Sequence, residues 1–118
     1  MIKISLDEAY VFDMLSIFQV KINVFTGEKL NTTLSAMSDL IEEIVEQLGK
    51  EKYDDIVSSL EYIEMVDANK KVFDLVDIVK NDNGLAKQTD DANYERYLKK
   101  IALQNKFFTN NLREIKNK

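Results

Sequence analysis

The chain contains no proline and only three glycines, Gly27, Gly49 and Gly84, among 118 residues. Folds made of many tight turns and hairpins draw on both residue types for their special backbone angles. Their scarcity argues for long helices joined by few loops. Cysteine is absent, which removes disulfides, thiolate nucleophiles and thiolate metal sites. Histidine is absent as well, and with it the commonest general base near neutral pH and the commonest metal ligand. No glycine-rich phosphate loop occurs. No run of residues is apolar enough to span a membrane or to act as a signal peptide, because Asp7, Glu8, Asp13, Gln19 and Lys21 interrupt the N-terminal apolar stretch. A cytoplasmic setting without membrane attachment is the expectation.

What is present has the balance of an ordinary soluble globular chain, 45% apolar and 31% charged. The length suits a single domain with a modest core, here residues 1–118. Ile2 and Ile4 suggest a short extended segment. Ser5 and Glu8 have the spacing of a capping box, opening a helix to Phe25 that is apolar around most of its circumference. Its polar residues Asp13, Ser16 and Asn23 read as a narrow wet stripe on a helix central to a bundle. Gly27 is positioned to end it, and Asn31 or Thr32 to cap a second helix with a core face of Leu34, Met37, Leu40, Ile41, Ile44, Val45 and Leu48.

Gly49 ends that second helix. A third carries Tyr53, Ile56, Val57, Leu60, Ile63 and Val66 inward, and a fourth carries Val72, Phe73, Leu75, Val76 and Val79. The phase slips between Asp67 and Lys70, which favours two helices there over one bent helix. Asn81 to Gly84 is a turn signal, and Thr89 or Asp90 can cap a last helix running at least to Phe108. The expected fold is all-α, a compact bundle of about five helices with a C-terminal tail.

Charge is segregated along this framework. Asp39 to Asp67 holds ten acidic residues against two lysines, whereas Arg96 to Lys118 holds seven basic residues against Glu114, in a chain of net charge −5. Such a division suggests contacts between the two halves or with a charged partner. Glu42, Glu43 and Glu46 read as a solvated face rather than a metal site, since the carboxylate di-metal sites of helical bundles also use histidine. Asn81 to Gly84 resembles part of a calcium loop, but Val79 stands where the loop should begin. No serine has an evident base. No catalytic residue, metal site or cofactor is assigned, and no enzymatic activity is expected.

The last helix carries the sharpest pattern. Tyr94, Leu98, Ile101, Asn105, Phe108, Leu112 and Ile115 alternate spacings of four and three, a heptad seam with one polar core position. Two readings follow: the seam packs on the chain's own bundle, or it receives a partner. Basic and aromatic residues interleave here as Tyr94, Arg96, Tyr97, Lys99, Lys100, Lys106, Phe107 and Phe108, and with Asn105 these form the candidate partner-binding set. Phe107 and Phe108 cannot both face one seam. Basic charge with rings also suits single-stranded nucleic acid, although the chain is acidic overall and carries no recognised nucleic-acid motif.

The segment Asp91-Ala-Asn-Tyr-Glu-Arg-Tyr-Leu-Lys-Lys-Ile-Ala-Leu-Gln-Asn-Lys-Phe-Phe resembles small uncharacterised helical proteins of tailed phages. Fourteen lysines against two arginines accord with an AT-rich genome of that kind. The resemblance implies action by binding a host or virion protein in the host cytoplasm. The expected function is therefore non-enzymatic binding of a protein partner, or of a second copy, through the last helix. The alternative is a nucleic-acid-binding accessory factor using the same helix.

Overall fold

The computed structural model describes residues 7–79 and 86–108, and these form five helices. They are α1 (Glu8–Ile22), α2 (Gly27–Leu48), α3 (Lys50–Val57), α4 (Leu60–Val79) and α5 (Ala86–Phe107). No strand occurs among the described residues, and the architecture is an all-α bundle. α1 is its hub, packing against α2, α4 and α5, while α4 and α5 form the most extensive helix pair. Phe12 of α1 is buried at the centre of the core, edge-on to Tyr62 and tilted against Phe108 with both ring centroids 6.4 Å away. Leu15, Ile44, Ile56, Met65 and Leu103 close around it. Aromatic pairs in such offset geometries add to the burial of their area.

The first helix starts at Glu8 behind Asp7, whose side chain makes no capping bond. The carboxylate expected to close a capping box with Ser5 is used differently. Gln104 of α5 donates from Nε2 to Glu8 Oε1 at 3.0 Å and accepts the Ala9 N–H on Oε1 at 2.8 Å. An orphan donor of the α1 N-terminus is thus satisfied from another helix. Ser5 lies outside the described residues, as do Ile2, Ile4, the Asn81 to Gly84 turn, Leu112 and Ile115.

Glycine and serine set the other joints. Gly27, with φ +62°, is the first residue of α2 and not the end of α1. α2 therefore begins before Asn31 and Thr32, which lie within it. Gly49, with φ +90° and ψ 151°, joins α2 to α3 as expected. The break after α3 comes at Ser58 and Ser59 rather than at Asp67 to Lys70. Ser59 Oγ accepts the Tyr62 N–H at 3.1 Å, which caps α4.

The new start resets the register of α4. Tyr62, Met65, Ala68 and Asn69 face inward, while Leu60 and Ile63, expected to be core residues, are exposed. α4 runs unbroken through Asp67 to Lys70 because the small Ala68 and the polar Asn69 occupy core positions there. Val72, Phe73 and Leu75 are half-buried, and the side chains of Val76 and Val79 lie outside the description. α5 begins at Ala86, ahead of Thr89 and Asp90.

Gly49 sits in a backbone region that glycine alone occupies readily, yet a Cβ there would meet no atom within 4 Å. Gly49→Ala therefore tests backbone strain without steric overlap. The expected loss is about 1–3 kcal/mol in urea unfolding, with an unchanged denaturant slope.

Candidate interaction surface

Two faces of α5 do different work. The inner face consists of Ala92, Arg96, Leu103 and Gln104, with Phe107 and Phe108 at its end. Leu103 and Gln104 are fully buried. Phe108 enters the core against Phe12, with Lys52 Nζ 4.6 Å from its ring centroid, and half-buried Phe107 packs on the core's edge. Both rings are thus used inside the chain.

The anchor of this inner face is polar. Asp13, expected on a wet stripe, is only 3% exposed, and Ser16 is fully buried. Arg96 Nη2 donates to Asp13 Oδ2 at 2.7 Å. Asn69 Nδ2 donates to Asp13 Oδ1 at 2.9 Å and also to Ser16 Oγ. Ser16 Oγ donates in turn to the Asp13 carbonyl at 2.7 Å. One carboxylate thereby ties α1, α4 and α5 together, and no buried side-chain polar atom lacks a partner among the described residues. The sequence carries two traces of this cluster: Asp13 and Ser16 lie three apart on an otherwise apolar helix, and the apolar phase slips at Asn69. Asn23, the third residue of the expected stripe, is exposed.

The acidic and basic segments meet within the chain, on α4 and α5. Lys106 bonds Glu61 at 2.9 Å, Lys99 bonds Glu64 at 3.4 Å, and Lys71 of α4 bonds Glu95 at 3.2 Å. The hydrogen bond from Lys106 holds the Glu61 carboxyl below its ordinary value. Tyr62 has its hydroxyl pushed well above the ordinary value, chiefly by burial, and donates to Gln19 Oε1 at 2.8 Å.

The outer face of α5 carries most of the heptad stripe. Tyr94 is 63% exposed, Leu98 45% and Tyr97 42%, Asn105 is exposed, and Ile101 is half-buried. The Tyr94 and Tyr97 rings stack at 6.4 Å. Lys100, one turn beyond Tyr97, reaches the Tyr10 ring of α1 at 5.8 Å, and Met14 lies one turn along α1 from Tyr10 and is also exposed. Lys100 thus lies beside the exposed Tyr10 of α1.

The nine candidate residues fall into two groups. Arg96, Lys99, Lys106, Phe107 and Phe108 are engaged within the bundle. Tyr94, Tyr97, Lys100 and Asn105 lie on or beside the outer face of α5 with Leu98, and Tyr10 and Met14 are exposed on α1; these last three were not among the candidates. Among the described residues, no three acidic groups are placed to hold a metal ion, and no helix is long and apolar enough to cross a membrane.

Removing Arg96 leaves the Asp13 carboxylate buried beside a single amide donor from a neighbouring helix. Arg96→Met is expected to cost about 3 kcal/mol in denaturant unfolding, and the double variant Arg96→Met with Asp13→Leu to recover much of that loss.

Compared with known proteins, the chain matches no family model, no curated protein and no solved structure.

Proposed function

We propose that this chain is a non-enzymatic helical interaction protein that binds a protein partner, or a second copy of itself, through the outer face of α5. One observation carries the reading: a stripe with the spacing of a packed seam faces solvent on a helix already anchored by its other side. Tyr94, Leu98 and Ile101 offer apolar contact. Asn105 offers one polar position of the kind that fixes register between helices. From Tyr94 to Asn105 the strip is about 17 Å long at 1.5 Å per residue. That suits a small, reversible contact. Action inside a phage-infected host cell belongs to the same proposal.

The charge inventory weighs against nucleic acid as the ligand. Arg96, Lys99 and Lys106 are committed to carboxylates, which leaves Lys100 as the described cation beside the exposed rings. A phosphate-binding surface needs several free cations and loses affinity steeply with salt.

Leu98→Glu places a charge at the centre of the strip without entering the core. Light-scattering mass on a sizing column, at low and high salt, gives the first readout. A self-associating chain is expected to become monomeric with this substitution and to keep its assembly in high salt without it. A monomeric chain is expected to retain a partner when immobilised, and Leu98→Glu to lose it. Equal behaviour of the two proteins in both formats would rule out this surface.

A further inference from the structure

The apolar side of α2 is incompletely covered. Of its 22 residues only Thr33 and Ile44 are buried, while Leu40, Ile41, Val45 and Leu48, on the same side as Ile44, are half-buried. Between α1 and α2 runs a groove of about 180 Å³, floored by Val11, Phe12, Leu40, Ile44 and Leu48 and edged by Glu8 and Glu43. An apolar cavity of about 150 Å³ holds a molecule the size of benzene, so this groove has room for one or two aliphatic side chains. Leu40 and Leu48 stand about 12 Å apart along α2. An apolar groove of that length between two helices has the form that receives the apolar face of a third.

The rim of the groove is acidic. Asp39, Glu43 and Glu46 stand at i, i+4 and i+7, which puts them on one stripe of α2, and each is exposed. Glu43 is also part of the groove edge, where Gln47 Nε2 donates to its Oε1 at 2.7 Å. Glu8 adds a carboxylate on the α1 side. Between Lys29 and Lys50 the sequence carries four acidic residues, Asp39, Glu42, Glu43 and Glu46, and no basic one. The surface that α2 presents beside the groove is therefore negative.

We infer that this groove is a docking site for a basic amphipathic helix of a partner protein. The partner seats one or two aliphatic side chains on Leu40, Ile44 and Leu48 and sets lysine or arginine against Asp39, Glu43 and Glu46. Both halves of that chemistry are used. Burial of the aliphatic side chains supplies affinity, and the acidic stripe selects the sign of the partner and steers its approach. A second copy docking α2 against α2 would bring like charges face to face, which costs binding. An acidic partner meets the same penalty. The site is separate from the outer face of α5 and uses different residues, so either can fail without the other.

A synthetic helical peptide of leucine, lysine and alanine, with its leucines at i and i+4 on one face, serves as the probe. Titrated into the full chain, it is expected to shift the NMR methyl signals of Val11, Leu40, Ile44 and Leu48 and to leave Leu60 and Ile63 of α4 unmoved. A peptide with serine in place of leucine, and one with glutamate in place of lysine, are expected to leave the groove signals in place. These three peptides are read on the unmodified chain, whatever the folding of a variant. Asp39→Lys, Glu43→Lys and Glu46→Lys together are expected to weaken the leucine–lysine peptide about tenfold or more. The same change of charge at exposed positions of α4 and α5, Asp67→Lys, Asp90→Lys and Asp91→Lys together, is expected to alter its binding by no more than about twofold. Equal weakening in the two triple variants, or equal binding of the serine peptide, would show attraction to net charge alone and overturn the inference. Groove signals that the leucine–lysine peptide leaves unmoved would overturn it as well. So would groove signals that shift with the concentration of the chain itself, which would assign the groove to a second copy.

Discussion

The ion pair between Arg96 and Asp13 is the contact on which the rest of the arrangement depends. Its carboxylate is almost wholly buried and its guanidinium partly so, and taking such charges out of water is costly unless their hydrogen-bonding capacity is met. Here it is met by Arg96 of α5, through Nε and Nη2, and by Asn69 of α4, whose amide also donates to Ser16 Oγ of α1. The network's consequence is directional more than energetic. A hydrophobic face tolerates rotation of a helix, but a buried carboxylate with fixed donors does not. Gln104 adds a second fixed point two turns along α5 by capping α1. With both contacts made, the inner face of α5 is decided, and the heptad stripe turns outward.

That orientation separates two sets of residues that the sequence places on one helix. Lys99 and Lys106 serve the α4–α5 contact, where the surrounding charges are largely solvated and each pair contributes modestly. Tyr94, Tyr97 and Leu98 stay exposed on the opposite side of the helix. α2 has the reverse balance, with an apolar side half covered by α1 and an exposed flank of carboxylates. The segregation of charge along the chain is thus satisfied in part by α4 against α5.

The helical class was legible because its signals are local. Scarce glycine and proline, and apolar residues at i, i+3, i+4 and i+7, carry it whatever the tertiary packing. Gly49 was legible as a break for the same reason. Ser59 was the missed local signal, since a serine two residues ahead of Glu61 and three ahead of Tyr62 has cap spacing, and overlooking it put Leu60 and Ile63 on the wrong side. The heptad stripe was legible as a pattern but not as a direction. Its outward turn is set by Arg96 to Asp13 and Gln104 to Ala9, contacts between residues 83 and 95 positions apart. No periodicity within α5 contains that information, and the polar residues of α1 that do contain it resemble a solvated stripe.

The most direct test of the account is the reactivity of single thiols on the two faces of α5, in a chain with no native cysteine. Leu98→Cys and Ala92→Cys would be exposed to a thiol reagent at dilution sufficient to keep the chain monomeric. The account predicts that Leu98→Cys reacts at nearly the rate of an unstructured peptide, while Ala92→Cys is protected by the folded state. Protection at Leu98→Cys with free reaction at Ala92→Cys would contradict it, because the heptad stripe would then be the inner face of α5.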